Sequence, residues 1–340
     1  MVKSEAMKIA VTDGTMIEAK VDRTDYEAVG IVHIFHGMAE HMDRYVTLVD
    51  KLNQQGYHVI RHNHRGHGCD VDGIRGHFDS MTQVVQDAFE IQSTLKAQFN
   101  PHLPLILIGH SMGSIIARQF VQTYPQAAQG LILSGTGYFP TWYYITNLPL
   151  LKIITLVCGK KRRMNWLNQM TTGRFNKNFK PTRTTSDWLS SDKSEVDHFI
   201  QDPHTGFLVS NQLIFSVLQT MMRTSRVKNI ADMNLELPIL LISGKDDPFG
   251  ANGKGIRRFG KILKRGGIHH ITVQLYKNKR HEVLFEKDKE TVWRHMLDWM
   301  SRKIIKKQKV GERGVKKKPL YRCLCRSNRQ WQNGTRCHTR

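Results

Sequence analysis

Cysteine is scarce in this chain: there are five among 340 residues, and only Cys69 and Cys158 precede residue 302. Neither has an evident partner, and Cys69, which follows a glycine-rich loop, is expected to be a buried, inert thiol. The first six residues, MVKSEA, hold no apolar run of the kind that directs secretion. Together these absences argue against a disulfide-stapled secreted scaffold and predict a reducing cytoplasm. Long apolar runs are missing too, since the greasiest stretch, residues 138–157, is interrupted by Pro149 and Lys152, which argues against a membrane span. No internal repeat and no HExxH zinc helix occur. Acidic residues are few, 29 Asp and Glu against 51 Lys and Arg, for a net charge of +22. Such a charge suggests a nucleic-acid partner when one face of a fold carries it. Here it is uneven. Residues 302–340 hold fourteen Lys or Arg and one acid, Glu312, so +13 of the total lies in the last 39 residues, and nucleic acid is not the expected partner of the body.

The most informative segment is GHSMG at 109–113, after the apolar run PLILI at 104–108 and before SIIARQF at 114–120. A strand, a tight turn and a helix in succession form a nucleophile elbow. A serine hydroxyl is a poor nucleophile at neutral pH, so the turn must expose it to a base on one side and to backbone N–H donors on the other. Glycines at 109 and 113 leave room where the strand and helix backbones converge.

Such a serine calls for an acid and then a histidine further along the chain. Residues 237–243 read as a buried strand followed by the turn-rich GKDDPFG, which places Asp246 and Asp247 at its carboxyl end. Residues 271–276 read as another strand, and the loop after it carries His281. Ser111 would attack a carbonyl, His281 would take its proton and pass it to the leaving group, and one of the two aspartates would orient the imidazole. Residues 30–35 read as a strand running into His36 and Gly37, and the amides of Met38 and Met112 are the expected donors to the oxyanion.

The blocks HGMAEHMDRY (36–45), NHRGHG (63–68), GHSMGS (109–114), SGKDDPFG (243–250) and RHE (280–282) resemble the monoacylglycerol lipase and lysophospholipase group of α/β-hydrolases, often catalogued with the serine aminopeptidases. The resemblance runs over about residues 8–300. It implies that Asp247 rather than Asp246 is the acid, beside Ser111 and His281. It also implies ester hydrolysis on a single acyl chain through an acyl-enzyme, with no metal or organic cofactor.

The alternation of strand-like and helix-like segments predicts an α/β fold, a mostly parallel sheet flanked by helices. Before the elbow come a hairpin at 8–21, strands at 30–35 and 58–61, and helices at 45–55 and 82–99; a strand at 130–134 follows the elbow helix. The rhythm then stops for about a hundred residues, too long for a loop, which predicts a helical cap. The expected division is therefore a core at 1–135 and 236–305, a cap at 136–235 and a basic, disordered tail at 306–340. Apolar and aromatic residues at 138–157, ending in Lys160, Lys161, Arg162 and Arg163, suit an amphiphile drawn from an anionic membrane, so peripheral membrane contact is expected; packing of the cap on the core accounts for the same residues equally well. The block at 187–203 is expected to anchor the cap. The histidines at 62, 64 and 67 read as loop-holding groups with Arg65 rather than zinc ligands.

The tail departs from the family pattern. It reads as a basic arm for membrane or RNA, as an irregular zinc site of Cys323, Cys325, Cys337 and His338, or as an extension with no selected role, which the abrupt change of composition favours. Two other functions use the same residues differently: an aminopeptidase, which needs an acidic or carbonyl-rich pocket for the substrate's α-amino group, and a non-catalytic binder of anions or membrane acting through the tail.

Overall fold

A computed structural model describes residues 3–306. The tail after residue 306, with its three cysteines and His338, lies outside the described residues, so none of its readings is addressed.

Eight strands form one sheet: β1 (Lys3–Ala10), β2 (Met16–Arg23), β3 (Gly30–Phe35), β4 (Tyr57–His62), β5 (Leu105–His110), β6 (Gly130–Ser134), β7 (Ile239–Gly244) and β8 (Ile271–Tyr276), in the order β1-β2-β4-β3-β5-β6-β7-β8. β1 pairs with β2 and β2 with β4 antiparallel, and every later pairing is parallel. The apolar runs explain the central positions. All residues of β3, β5, β6 and β7 are buried, as expected of strands covered on both faces. Alternate residues enter different cores: Ile31, Phe35 and Leu107 face one cluster, while Val32, Ile34 and Ile108 face the other.

The first core receives α2 (Met81–Lys96) and α3 (Met112–Thr123), through side chains such as Ile91 and Phe120. The second receives α1 (Val46–Gln54) through Leu48 and Leu52, and α10 (Lys289–Met300) through Trp293 and Met296. Between β6 and β7 lie α4 (Thr141–Cys158), α5 (Asn165–Thr171), α6 (Lys193–Gln201), α7 (Asn211–Thr224) and α8 (Val227–Ala231). α4 continues through Pro149 rather than breaking there. The amide that proline lacks would have met the carbonyl of Ile145, a residue 68% exposed, so water can satisfy that oxygen. Among the described residues no helix is long and apolar enough to cross a membrane.

Two details differ from expectation. α9 (Lys254–Arg265) was not foreseen, because its many cations mask the spacing of Ile256, Phe259 and Leu263, the residues that bury its inner face. Cys69 is exposed rather than buried, because the chain turns outward after the Gly66 and Gly68 bends, both at positive φ. Partial burial, with Glu18, Asp43 and Asp202 nearby, still pushes its thiol pKa up, which disfavours the reactive thiolate.

Candidate active site

β5 delivers the chain to Ser111, which sits at φ 50° and ψ −116° before α3 begins. A non-glycine residue there is strained by about 1–3 kcal/mol. The surroundings hold it: Ser111 N donates to Ser134 O at 2.9 Å and its carbonyl accepts from Ser114 N at 3.0 Å. A Cβ on Gly109 would lie 2.6 Å from Gly113 O, and one on Gly113 would overlap Phe35 O. The turn is this tight only because both positions are glycine.

Of the two aspartates after β7, Asp246 is exposed and Asp247 fully buried. It is Asp247 whose carboxylate meets His281, with both oxygens 3.1 Å from Nδ1. Its remaining lone pairs accept from Ser243 Oγ at 3.0 Å and Phe249 N at 2.9 Å. Burial alone would raise the Asp247 pKa, but His281 and these donors outweigh it and hold the carboxyl below its ordinary value. Burial likewise opposes charge on His281, yet Asp247, Glu282 and Glu40 raise its pKa above the usual histidine value. His281 Nε2 is buried without a hydrogen-bond partner among the described residues, and the ring borders a cavity that Ser111 also borders. Trp188 covers the imidazole at 4.7 Å between ring centroids, so the 187–203 block reaches the site directly.

Met112 opens α3, so its amide has no acceptor within the helix. Met38 follows Gly37, whose α-carbon is so close to the elbow that a Cβ would lie 3.3 Å from Ser111 Cβ. Both methionines border the same cavity as Ser111.

A group of residues that the sequence reading passed over ties these loops together. Arg44 donates to Glu282 Oε1 at 2.8 Å and Oε2 at 2.9 Å, and also to Glu40 Oε2. Glu40 in turn accepts from Gly37 N and, at 2.9 Å, from Tyr45 Oη. The loop after β3 and the loop of His281 thus share one buried cation. The four-residue spacing of Glu40 and Arg44 was a usable signal.

The 62–67 histidines pair among themselves and with backbone. His62 bonds His33 at 2.9 Å and His64 at 3.1 Å, and His67 Nδ1 meets Arg65 O at 2.9 Å. Arg65 joins Asp87 and, at 2.8 Å, Asp13. These contacts fit the loop-holding role.

The elbow geometry has a counterpart in sequence comparison, where residues 26–288 match the family described as serine aminopeptidase, S33. The chain belongs to that family. Among its relatives is an abhydrolase domain-containing protein of Dictyostelium discoideum, 24% identical over 303 residues; the match covers 88% of this chain but only 29% of that longer protein. A monoacylglycerol lipase of Mycolicibacterium smegmatis is 26% identical over 292 residues, covering 84% of this chain and 93% of that one. A thermostable carboxyl esterase from Bacillus coagulans, solved with glycerol, superposes with a TM-score of 0.80 at 26% identity, over 89% of this chain and 99% of that one. This S33-family member therefore has the α/β-hydrolase fold that its sequence blocks implied.

Proposed function

We propose that the protein is a serine hydrolase that cleaves the carboxylic ester of a monoacyl lipid through an acyl-enzyme intermediate. Ser111 attacks the ester carbonyl as His281 takes its proton. Asp247 keeps the imidazole in the Nδ1–H form and stabilises its cation, and the amides of Met38 and Met112 receive the oxyanion. His281 then protonates the departing alcohol, and a water repeats the sequence to free the acid. The similarity to a monoacylglycerol lipase and an esterase supports this chemistry.

The observation that carries the substrate reading is that Ser111 borders two unlike cavities. One, of about 160 Å³, has an apolar wall that includes Phe139, Leu151, Ile154, Leu167 and Met170. It suits an acyl chain. The other, also about 160 Å³, is bordered by Asn168, Gln169, Thr172, Thr185 and Ser186 besides His281. Among the described residues no Lys or Arg lines it, which favours an uncharged polyol head group over a phosphate-bearing one. The family name raises the aminopeptidase reading, and Glu40 and Glu282 do border this cavity. Arg44 holds both carboxylates, so neither is left to bind an α-amino group.

The cap supports an approach to a membrane. Trp142, Ile145, Ile153, Leu156 and Val157 of α4 are each more than half exposed. No acidic residue occurs between Glu90 and Asp187, whereas Lys160, Lys161, Arg162 and Arg163 follow α4 directly. An apolar face beside unopposed cations suits the surface of an anionic bilayer.

The test is turnover by the purified chain and by Ser111→Ala on a monoacylglycerol, a lysophospholipid, a short aryl ester and an aminoacyl amide. Preference for the monoacylglycerol, abolished in the variant, is the expected result. Cleavage of the amide alone would replace this reading with the peptidase one, and full activity in Ser111→Ala would refute the mechanism.

A further inference from the structure

His36 is fully buried, and its two ring nitrogens meet different partners. Nε2 lies 2.9 Å from the backbone N of His64, and Nδ1 lies 2.7 Å from the carbonyl oxygen of Gly37. These partners dictate the tautomer. A backbone N–H only donates, so Nε2 must be the bare acceptor; a neutral imidazole then carries its hydrogen on Nδ1 and donates it to Gly37 O. Burial, reinforced by repulsion from His67, keeps the ring neutral by holding its pKa well below the ordinary value.

The acceptor is not an arbitrary carbonyl. Gly37 C=O and Met38 N–H belong to one trans peptide plane, so they point in opposite directions. A donor fixed on the oxygen sets the direction of the N–H, and it polarises the amide so that the N–H becomes the stronger donor. The other side of the loop is held independently, because Gly37 N is taken by Glu40 and Ala39 sits at φ 54°.

We propose that His36 is a positioning residue for the oxyanion: its Nδ1–H orients and polarises the Gly37–Met38 peptide so that the Met38 amide faces the charge that develops on the substrate carbonyl at Ser111. This rests on the reading of Met38 as an oxyanion donor. His36 touches no substrate atom and contributes only when the carbonyl becomes an oxyanion. Its effect therefore belongs to kcat and not to KM.

Two near-isosteres separate this role from a purely structural one. His36→Asn places an amide NH₂ near the Nδ1 position and so keeps the donor to Gly37 O while losing the acceptor for His64. His36→Gln does the reverse. With the full chain and a monoacylglycerol substrate, His36→Gln is expected to lower kcat about tenfold to a hundredfold, with KM within about threefold, since loss of a whole oxyanion donor costs about 10²–10³. His36→Asn is expected to retain kcat within about threefold of wild type. Wild-type kcat in a folded His36→Gln protein, or an equal fall in both variants, overturns the proposal. Should His36→Gln fail to fold, ¹⁵N-histidine spectra of the wild-type chain decide the matter. One ring, absent from His36→Asn, must show the Nδ1–H tautomer and stay neutral through the ordinary histidine value of about 6.5; an Nε2–H form refutes the assignment. The parent reading fails separately: turnover surviving in Ser111→Ala removes the nucleophile itself, whereas loss there with full kcat in His36→Gln removes only His36.

Discussion

Replacing Arg44 by methionine should be among the most damaging substitutions outside Ser111, Asp247 and His281. The guanidinium is 9% exposed and the carboxylates of Glu40 and Glu282 are 2% and 3% exposed, so all three charges are out of water. The cation also stacks over Phe285 at 4.6 Å and Phe199 at 4.9 Å. Methionine keeps much of that packing but leaves two buried anions facing each other without a cation. Breaking a buried ion pair from one side costs about 3–5 kcal/mol, because the partner charge stays desolvated. For a chain of this size that lowers Tm by on the order of 10 °C.

The effect has a pH signature. In Arg44→Met, Glu40 keeps its burial but loses the guanidinium that offset it, which raises its folded-state pKa above the unfolded value of about 4.3. The native state then holds protons that the unfolded state has released, so the deficit grows as pH rises from that value through the raised one. Urea unfolding followed by tryptophan fluorescence should therefore show a smaller loss at pH 5 than at pH 7. Glu40→Gln/Arg44→Met/Glu282→Gln, with no charge left to strand, should recover more than half of it. A loss below about 1 kcal/mol in Arg44→Met, or a triple variant no more stable than the single one, refutes the account.

Four other outcomes follow from the same structure. Burial holds His33, His67 and His110 each at about 4, so between pH 6.5 and 4 the unfolded chain binds protons that the native one does not; stability should fall as pH drops through that window, by roughly 3 kcal/mol per histidine, in urea titrations at successive pH values. Because the pKa of His281 is raised, the acidic limb of a kcat/KM profile should have its midpoint above that of an ordinary histidine, about 6.5, and a midpoint below about 6 would contradict the Asp247 contact. Gly113→Ala, which drives a Cβ onto Phe35 O, should cost about 1–3 kcal/mol in unfolding experiments and remove ester turnover with it. Neutralising Lys160, Lys161, Arg162 and Arg163 together with glutamine should weaken cosedimentation with phosphatidylserine vesicles at least about tenfold while leaving turnover of a soluble aryl ester unchanged.

How far the molecule was legible in its sequence depended on whether a feature is local. The elbow is written in the consecutive residues 104–120, since a buried strand, a glycine-flanked serine and a helix start are each short-range matters, and Ser111 accordingly sits between β5 and α3. The strands β3, β5, β6 and β7 were equally plain because both faces are covered and the residues are almost uniformly apolar. α9 was hidden for the opposite reason: one apolar residue per turn suffices against a sheet, and KGIRRFGKILKR is otherwise a run of cations. Choosing Asp247 over Asp246 needed either a family resemblance or coordinates, because adjacent residues in a turn differ only in direction, and direction is set by Ser243 and Phe249 from the strand end and the turn itself.

The Arg44 network marks where sequence reading stops. Arg44 and Glu282 are 238 positions apart, and nothing in composition or periodicity connects them. What connects them is the sheet, which brings the ends of β3, β5, β7 and β8 to one edge and so forces the loops of Met38, Ser111, Asp247 and His281 to share a small volume. Once that edge is crowded with backbone, each loop must be held by polar groups, and a buried cation between two carboxylates holds two loops at once. The same crowding leaves His36 facing one carbonyl and one amide. Residues that hold loops are therefore found by following hydrogen-bonded polar atoms outward from Ser111, not by scanning for further reactive side chains.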